Sequence, residues 1–305
     1  MATILEGVAS VRGKRRPRPE GALKLSVKAG EAAMERAGRR PDEVGLLVNA
    51  GLYRDGNLGE PAMSALIQED LGISLGEPPI GGAGAFSFDL ANGAVGALNA
   101  IAVVSGFLET GSIDVGLVVA GDSDPDPMFN KNIDFVNMAG AAVLSWDDSD
   151  SGFGPFRFRT FTEFEPHYEV TLEWAKHKVP TPPLVPSGKN VITVTEIPGY
   201  FEQSVECAYE TAVDYLREQG LTPGDVDLLV AAHPNSRLAD VVGERLGLPW
   251  DRVNHLDEAS HGAHTAAPLI ALETAVSKGR LLKADTVLVL AAGSGITVGA
   301  CLYRP

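Results

Sequence analysis

Three histidines and one glutamate occupy points in the sequence where they could carry out acid–base chemistry. His233 follows a run of apolar residues, and His261 and His264 lie three residues apart in a turn rich in glycine and alanine. Glu60 precedes a predicted helix at 63–71. Imidazole and carboxylate groups are common general acids and bases in enzymes. A carboxylate before a helix is also stabilised by the positive end of the helix dipole, so Glu60 alone does not indicate catalysis.

The same histidines raise the question of a metal site. His261 and His264 could bind a metal together with His255, since imidazole nitrogens are common zinc ligands. No carboxylate or thiolate near them completes a spacing typical of zinc sites. We therefore expect neither a bound metal nor another cofactor.

A nucleophile would be expected at the elbow inside the segment 85–122. This segment has the pattern of a short strand, a tight elbow, a long and nearly uncharged helix, and a buried strand at 115–120. A helix that is apolar all round must be buried. The elbow directs the free N–H groups at the start of this helix towards whatever lies near Gly93 and Ala94. The position that suits a nucleophile holds alanine.

Other nucleophilic side chains are poor substitutes for the missing one. Cys207 falls in a helical pattern and Cys301 in the last strand, where each is expected to pack as a small apolar group. Ser87 lies within the strand that enters the elbow. None of the three is expected to carry an acyl group.

The elements that position these residues come from an internal duplication. Three segments of the first half resemble three segments of the second half in the same order: 41–50 and 223–232, 111–121 and 279–293, and 140–144 and 299–303. The first two pairs each follow a predicted helix. Two copies of one αβ unit with buried strands predict an α/β fold with five layers, in the order αβαβα.

The repeats also predict the domain boundaries. Residues 1–150 form the first half and residues 191–305 the second half. Residues 151–190 are interpreted as an insertion, with a lid or tunnel wall as its candidate role. This segment is rich in aromatic residues and contains Pro180, Pro182, Pro183 and Pro186.

Composition excludes several functions. The 305 residues contain 25 Lys and Arg against 40 Asp and Glu, a net charge of −15, so nucleic acid is not an expected partner. The cluster Lys14, Arg15, Arg16 and Arg18 is either a solvated loop or a docking site for an acidic carrier or a coenzyme phosphate. Two cysteines, no signal peptide and no membrane-spanning run predict a cytoplasmic protein.

Five motifs together resemble one known family. They are 88–96 (FDLANGAVG), 137–144 (NMAGAAVL), 233–235 (HPN), 261–265 (HGAHT) and 291–295 (AAGSG). In that order they are similar to the FD(I/V)xxACxG elbow, the GDGAGAAVL strand entry, the HQAN loop with one residue deleted, the HGNTS turn and the last Gly-rich segment of the thiolase superfamily. Within that superfamily the chain looks most like the β-ketoacyl-ACP synthase III and OleA-like branch.

The resemblance implies a set of site positions. Ala94 stands where the family has its acyl-accepting cysteine, and His233 takes the position of the catalytic histidine. Ala263, or with a shifted gap His264, replaces the catalytic asparagine. The Claisen condensation of the family needs a thiolate that carries the acyl group as a thioester, and a methyl group cannot carry it. The resemblance therefore implies a subunit that is not acylated itself.

Glu60 resembles a residue with a known task in the OleA-like enzymes. These enzymes carry a glutamate, placed before the corresponding helix, that enters the partner's acyl tunnel and acts on the α-carbon of the second acyl group. A carboxylate in an apolar tunnel would have a raised pKa and would be ready to abstract a proton. The resemblance thus predicts that Glu60 is catalytic in trans.

Three functions remain open at this stage. The first is a subunit of a heterodimeric condensing enzyme of lipid or polyketide-type metabolism, with a cysteine-bearing paralogue as partner and acyl-CoA or acyl-ACP as substrate. The second is an independent acyltransferase or hydrolase with His233 as general base. The third is a purely structural subunit. We expect association, as a heterodimer or otherwise a homodimer, through the strand 115–120 and the segment around Glu60.

Overall fold

A computed structural model describes residues 2–14, 20–55, 59–74, 76, 84–124, 136–176 and 188–305, with only the backbone of 173–176 and 188–191. Arg15, Arg16 and Arg18 of the basic cluster lie outside the described residues, as do Pro180, Pro182, Pro183 and Pro186.

The described residues of the first half form five strands and three helices. They are β1 (Ala2–Arg12), α1 (Ala22–Ala37), β2 (Leu46–Asn49), α2 (Met63–Asp70), β3 (Phe86–Asp89), α3 (Gly96–Glu109), β4 (Val115–Asp122) and β5 (Met138–Asp147). The strands are ordered β3-β2-β4-β5-β1. β2 runs parallel to β3 and β4, whereas β5 is antiparallel to both β4 and β1.

The rest of the chain repeats this arrangement. Its elements are β6 (Gly152–Phe153), β7 (Arg157–Thr160), β8 (Tyr168–Lys176), β9 (Gly188–Glu196), α4 (Tyr200–Glu218), β10 (Leu228–Ala232), α5 (Leu238–Arg245), α6 (Ala267–Ser277), β11 (Val287–Gly293) and β12 (Thr297–Arg304). The order β10-β11-β12-β7 has the same sequence of parallel and antiparallel pairs as β2-β4-β5-β1. Val253 forms a parallel bridge with Leu229 in the place that β3 holds in the first half. The predicted duplication is confirmed.

Three apolar clusters separate the layers. α1 and α2 pack on one face of the first set of strands, α3 and α6 lie between the two sets, and α4 and α5 cover the outer face of the second set. β4 shows why its sequence is continuously apolar: Leu117 faces the α1 layer and Val118 faces the α3 layer. The predicted αβαβα fold is confirmed. In the described residues, the short strand β6 pairs with both β1 and β12 and joins the two sets into one ten-stranded sheet.

The central helix α3 is buried for most of its length. Ala97, Leu98 and Ile101 have no exposed surface, because they lie between the two sets of strands. The last turn reaches the surface, where Phe107 is 36% exposed. The uniformly apolar pattern therefore predicts the central position of α3 but not its exposed end.

The predicted position of the subunit interface, at the strand 115–120, is wrong. Residues 115–120 belong to β4, which is paired on one side with β2 and on the other with β5. A strand with both edges paired cannot extend a sheet into another subunit. The edge strand of this half is β3, where Phe86 is 59% exposed. Continuous apolarity revealed that both faces of β4 are covered but gave no information about its edges.

The segment predicted as an insertion has two parts. β6 and β7 pair with strands of the main sheet. β8 and β9 pair only with each other in the described residues and form a separate hairpin. The domain boundaries stay a prediction. None of the helices in the described part of the chain has the length and apolar content needed to traverse a bilayer.

Candidate active site

The elbow predicted from the sequence lies at the start of α3. After β3, a single 3-10 turn, Gly93–Val95, leads directly into the helix. Gly93 has a φ of +49°, a backbone conformation that residues with a Cβ rarely adopt. A Cβ added to Gly93 would lie 3.1 Å from Ser294 Oγ and 3.8 Å from His264 Cε1. The elbow therefore meets the end of β11 and the loop that carries His264.

Ala94 occupies the inner side of this elbow. Its side chain has no exposed surface. A Cβ added to Gly293 would lie 3.2 Å from Ala94 N and 3.4 Å from Ala94 Cβ, so the end of β11 packs directly on it. The absence of a side chain at Gly293 allows this close approach. The residue at the helix start is thus a buried methyl group.

His233 follows β10 and is held in one tautomer. Its Nδ1 accepts a hydrogen bond of 2.9 Å from the backbone N–H of Asn235. Nδ1 is therefore unprotonated, and Nε2 carries the hydrogen of the neutral ring. Nε2 is buried and has no hydrogen-bond partner among the described residues. Burial, together with the nearby His264 and His261, lowers the pKa of His233 to about 3.

His264, and not Ala263, contributes its side chain to the site. Ala263 packs in the apolar layer of α3 and α6. His264 is 4% exposed, and its Nε2 lies 3.4 Å from the Tyr168 hydroxyl. Burial lowers the pKa of His264, and the carboxylate of Asp122 acts in the opposite direction. Both histidines are consequently neutral near pH 7.

Three tyrosines complete the cluster, and no motif in the sequence indicated them. Tyr53 and Tyr200 are buried, and Tyr168 is partly buried. Tyr53 meets the His264 ring edge-on at 5.0 Å between centroids, and its hydroxyl bonds to that of Tyr168. Tyr168 packs against Tyr200 at 5.2 Å, and Tyr200 lies 5.6 Å from the His233 ring. Burial raises the pKa of all three phenols, so they remain protonated. They come from a loop, a hairpin and a helix, which no single motif connects.

Asp122 connects the loop that carries Tyr53 with the turn that carries His264. It is fully buried at the end of β4. Its Oδ1 accepts the backbone N–H of Tyr53 at 3.1 Å, and its Oδ2 accepts the N–H and the hydroxyl of Thr265 at 2.6 Å. One carboxylate thus fixes Tyr53, in the loop that follows β2, and Thr265, which follows His264. Buried carboxylates of this kind need such donors to offset their desolvation.

The remaining candidate residues lie elsewhere. Glu60 is exposed in front of α2, and among the described residues no hydrogen bond or ion pair joins it to the histidines. His255 uses Nδ1 with Asp240 and Nε2 with the carbonyl of Trp250, so the three-histidine metal site is not assembled. In the part of the chain that the structure describes, no group of three suitable side chains could hold a metal ion.

The cysteines and Ser87 are not placed for nucleophilic chemistry. Cys207 on α4 and Cys301 in β12 are both buried and unpaired. Burial raises the pKa of the Cys207 thiol to about 12 and also raises that of Cys301. Ser87 lies inside β3, paired with Leu47 of β2. The candidate site therefore combines two neutral imidazoles, three phenols and the Asp122 carboxylate, and none of these is a nucleophile at the elbow.

Comparisons with known proteins agree with this architecture. Residues 216–305 match the family profile described as 3-oxoacyl-[acyl-carrier-protein (ACP)] synthase III C terminal. The β-ketoacyl-ACP synthase III of Sphingopyxis alaskensis is 28% identical over 292 residues, which cover 92% of this chain and 83% of the relative. The β-ketoacyl-ACP synthase III of Symbiobacterium thermophilum is 28% identical over 306 residues, which cover 96% of this chain and 87% of the relative.

The chain is similar in sequence to ketoacyl synthase III enzymes.

Solved structures show the same thiolase-like fold. The 3-oxoacyl-ACP synthase III of Aquifex aeolicus superposes with a TM-score of 0.77 at 20% identity, over 99% of this chain and all of that chain. A cysteine-to-serine variant of Xanthomonas campestris OleA, with bound lauric acid and lauroyl-CoA, superposes with a TM-score of 0.78 at 17% identity. The superposition covers 100% of this chain and 99% of that chain. The ketoacyl synthase III and OleA structures thus share the fold of this chain from end to end.

Proposed function

We propose that this chain is a subunit of a heterodimeric condensing enzyme of the OleA and ketoacyl synthase III type, and that it is the subunit without the nucleophilic cysteine. A cysteine-bearing paralogue holds the acyl group, and this chain contributes Glu60 to the partner's active site. The observation that carries the proposal is Ala94. Ala94 places a buried methyl group at the elbow, where a condensing enzyme requires a nucleophile. Its neighbour Gly93 lies close to His264.

The proposed reaction joins two acyl thioesters. The partner's cysteine thiolate attacks the first acyl-CoA or acyl-ACP, forms a thioester and releases the carrier thiol. Glu60 then removes a proton from the α-carbon of the second acyl thioester, or that carbon loses CO₂ if the substrate carries a carboxylate. The resulting carbanion attacks the partner's thioester, forms the carbon–carbon bond of a β-keto thioester and frees the cysteine. No cofactor is needed, and a lipid or polyketide-type product results.

Glu60 suits a role outside its own subunit because of its position. It is exposed and lies in front of α2, whereas the histidine and tyrosine cluster is buried. An exposed carboxylate is a weak base in water, but its pKa would rise on transfer into an apolar tunnel of the partner. Association would therefore prepare the base as well as position it.

The independent acyltransferase is less well supported. It requires His233 to accept a proton, but Nδ1 already accepts the Asn235 N–H and Nε2 carries the hydrogen. A pKa of about 3 also makes this imidazole a poor proton acceptor near pH 7. Its Nε2–H is suited to donate a hydrogen bond to a carbonyl oxygen instead.

Reconstitution with the paralogue tests the proposal. This chain alone, the paralogue alone and the two together are each supplied with two acyl-CoA substrates, and the β-keto product and the intact masses are measured. We expect product only from the mixture, with the acyl adduct on the paralogue alone. A paralogue that condenses at full rate by itself would contradict the proposal and favour a structural subunit. Product from this chain alone would favour the independent acyltransferase.

A further inference from the structure

The carboxylate of Asp89 connects three separate parts of the first half. Asp89 is the last residue of β3. Its Oδ1 accepts the Asn49 side-chain amide at 3.0 Å and the backbone N–H of Ser64 at 2.8 Å. Its Oδ2 accepts the N–H of Met63 at 2.9 Å and a hydrogen bond from the Arg54 guanidinium. The carboxylate therefore binds both the first N–H groups of α2 and the loop that follows β2.

These bonds favour the ionised carboxylate. Burial alone would raise the pKa of Asp89, but the bonds from Asn49, Ser64 and Met63 and the charge of Arg54 outweigh it and lower the pKa. The positive end of the α2 dipole acts in the same direction. Asp89 is a fixed negative charge at neutral pH.

Arg54 depends on Asp89. Its side chain is only 17% exposed, and its sole described ion pair is with Asp89. The second guanidinium nitrogen, Nη1, is buried and has no acceptor among the described residues. A buried cation with unmet donors is costly, so loss of Asp89 would release Arg54 from its present position.

Glu60 lies between the two anchored points. Arg54 precedes it, and Met63 follows it at the start of α2. Asp89 binds Arg54 on one side of Glu60 and the N–H of Met63 on the other side. A catalytic group that acts in another subunit must be held in the correct orientation, because a misplacement of about 1 Å can lower the rate about 10²-fold.

We propose that Arg54 and Asp89 are positioning residues that aim Glu60 at the partner's active site. This inference rests on the proposed function of Glu60. The two residues touch neither substrate nor the reacting carbon. They act by fixing both flanks of the segment that carries Glu60.

A double-mutant cycle in the reconstituted enzyme tests this role. Asp89→Asn keeps the size of the side chain but removes its charge and replaces one acceptor with a donor. We expect kcat for condensation to fall about 10- to 100-fold. KM for the acyl thioester, acylation of the partner and subunit association should remain unchanged. In a Glu60→Ala background, Asp89→Asn should have no further effect, since there is no longer a base to aim.

Arg54 provides a second route if Asp89→Asn does not fold. Arg54→Gln should lower kcat in the same way, and Arg54→Lys, which retains the charge, should restore most of it. Asp70→Asn is the matched control for Asp89→Asn, because it makes the same change at an exposed carboxylate in the last turn of α2. It should leave the rate unchanged.

The outcomes separate the two claims. Equal slowing by Asp89→Asn with and without Glu60 would show a structural role and overturn the inference. A full rate in Asp89→Asn would overturn it as well. If Glu60→Ala alone condenses at the wild-type rate, the proposed function fails whatever Asp89 does. Slowing by Glu60→Ala without slowing by Asp89→Asn would refute only the positioning role.

Discussion

Acidification should destabilise this protein because His233 and His264 are buried as neutral rings. An unfolded histidine binds a proton near pH 6.5, whereas burial lowers the pKa of His233 in the fold to about 3. Between these values the unfolded state binds more protons, so the free energy of unfolding rises with pH. The contribution of His233 is thus complete above pH 6.5 and is lost as the pH falls towards 3.

The size of the effect follows from this difference. At pH 5.5 an unfolded histidine is about 90% protonated, and for His233 this lowers the free energy of unfolding by about 1.4 kcal/mol. His264 has a lowered pKa for the same reason, namely burial. For a chain of this length, about 1.4 kcal/mol corresponds to about 2 °C in melting temperature. His233 therefore predicts a decrease of about 2 °C between pH 7.5 and pH 5.5, and His264 adds to it in the same direction.

Scanning calorimetry of variants separates the contribution of His233 from that of the other titrating groups. His233→Gln cannot be protonated, so its decrease between the two pH values should be about 2 °C smaller than that of the wild type. Gln219→Ala, which removes an exposed and uncharged side chain, is the control and should keep the wild-type decrease. An identical pH dependence for His233→Gln and wild type would refute the reasoning, as would a titration of His233 near pH 6.5 by NMR.

Three further predictions concern acylation, association and the site. Incubation with acyl-CoA or acyl-ACP should leave the intact mass of this chain unchanged, because Ala94 offers no nucleophile; an adduct on Ser87 or Cys207 would contradict this. Purified alone, the chain should be a homodimer or poorly soluble by light scattering, since the edge strand β3 exposes Phe86, and a stable monodisperse monomer would argue against the account. Asp122→Asn should lower the free energy of unfolding by about 1–3 kcal/mol in urea titrations, because buried donors of Tyr53 and Thr265 lose a charged acceptor; an unchanged midpoint would contradict the role of Asp122.

The fold could be predicted because the duplication is visible in the sequence. The similar segments 41–50 and 223–232 lead into β2 and β10, which hold the same place in their respective halves. The apolar runs of β4 and β11 reflect strands covered on both faces. Strand edges leave no such pattern, and for this reason the interface predicted at 115–120 was wrong.

The site could be predicted only in part. The motif spacing located Ala94 and His233 but could not decide between Ala263 and His264, because the direction of a side chain in a turn depends on backbone geometry. The answer lies in the bonds that Asp122 makes to Thr265. The tyrosines were missed because burial of a phenol beside an imidazole depends on contacts between distant segments.

The ion pair and the hydrogen bonds on the two sides of Glu60 could not be predicted from the sequence either. The position of Glu60 before a helix was visible, and its role in trans stays a prediction. The bonds from Asp89 to Arg54 and to the start of α2 join residues far apart in the chain. They become apparent only when β3 lies beside β2 in the sheet.

The measurement that tests the central claim most directly is single-turnover condensation. The paralogue is first acylated on its cysteine, then mixed with this chain and a second acyl-CoA, and formation of the β-keto product is timed. Glu60→Ala should leave association and partner acylation intact but slow condensation by about 10²- to 10⁴-fold, as expected for loss of a general base. Glu69→Ala, which removes an exposed carboxylate from α2, should condense at the wild-type rate. If Glu60→Ala condenses at the wild-type rate and His233→Ala does not, the chemistry lies in this chain's own pocket, and the claim that Glu60 acts in the partner is wrong.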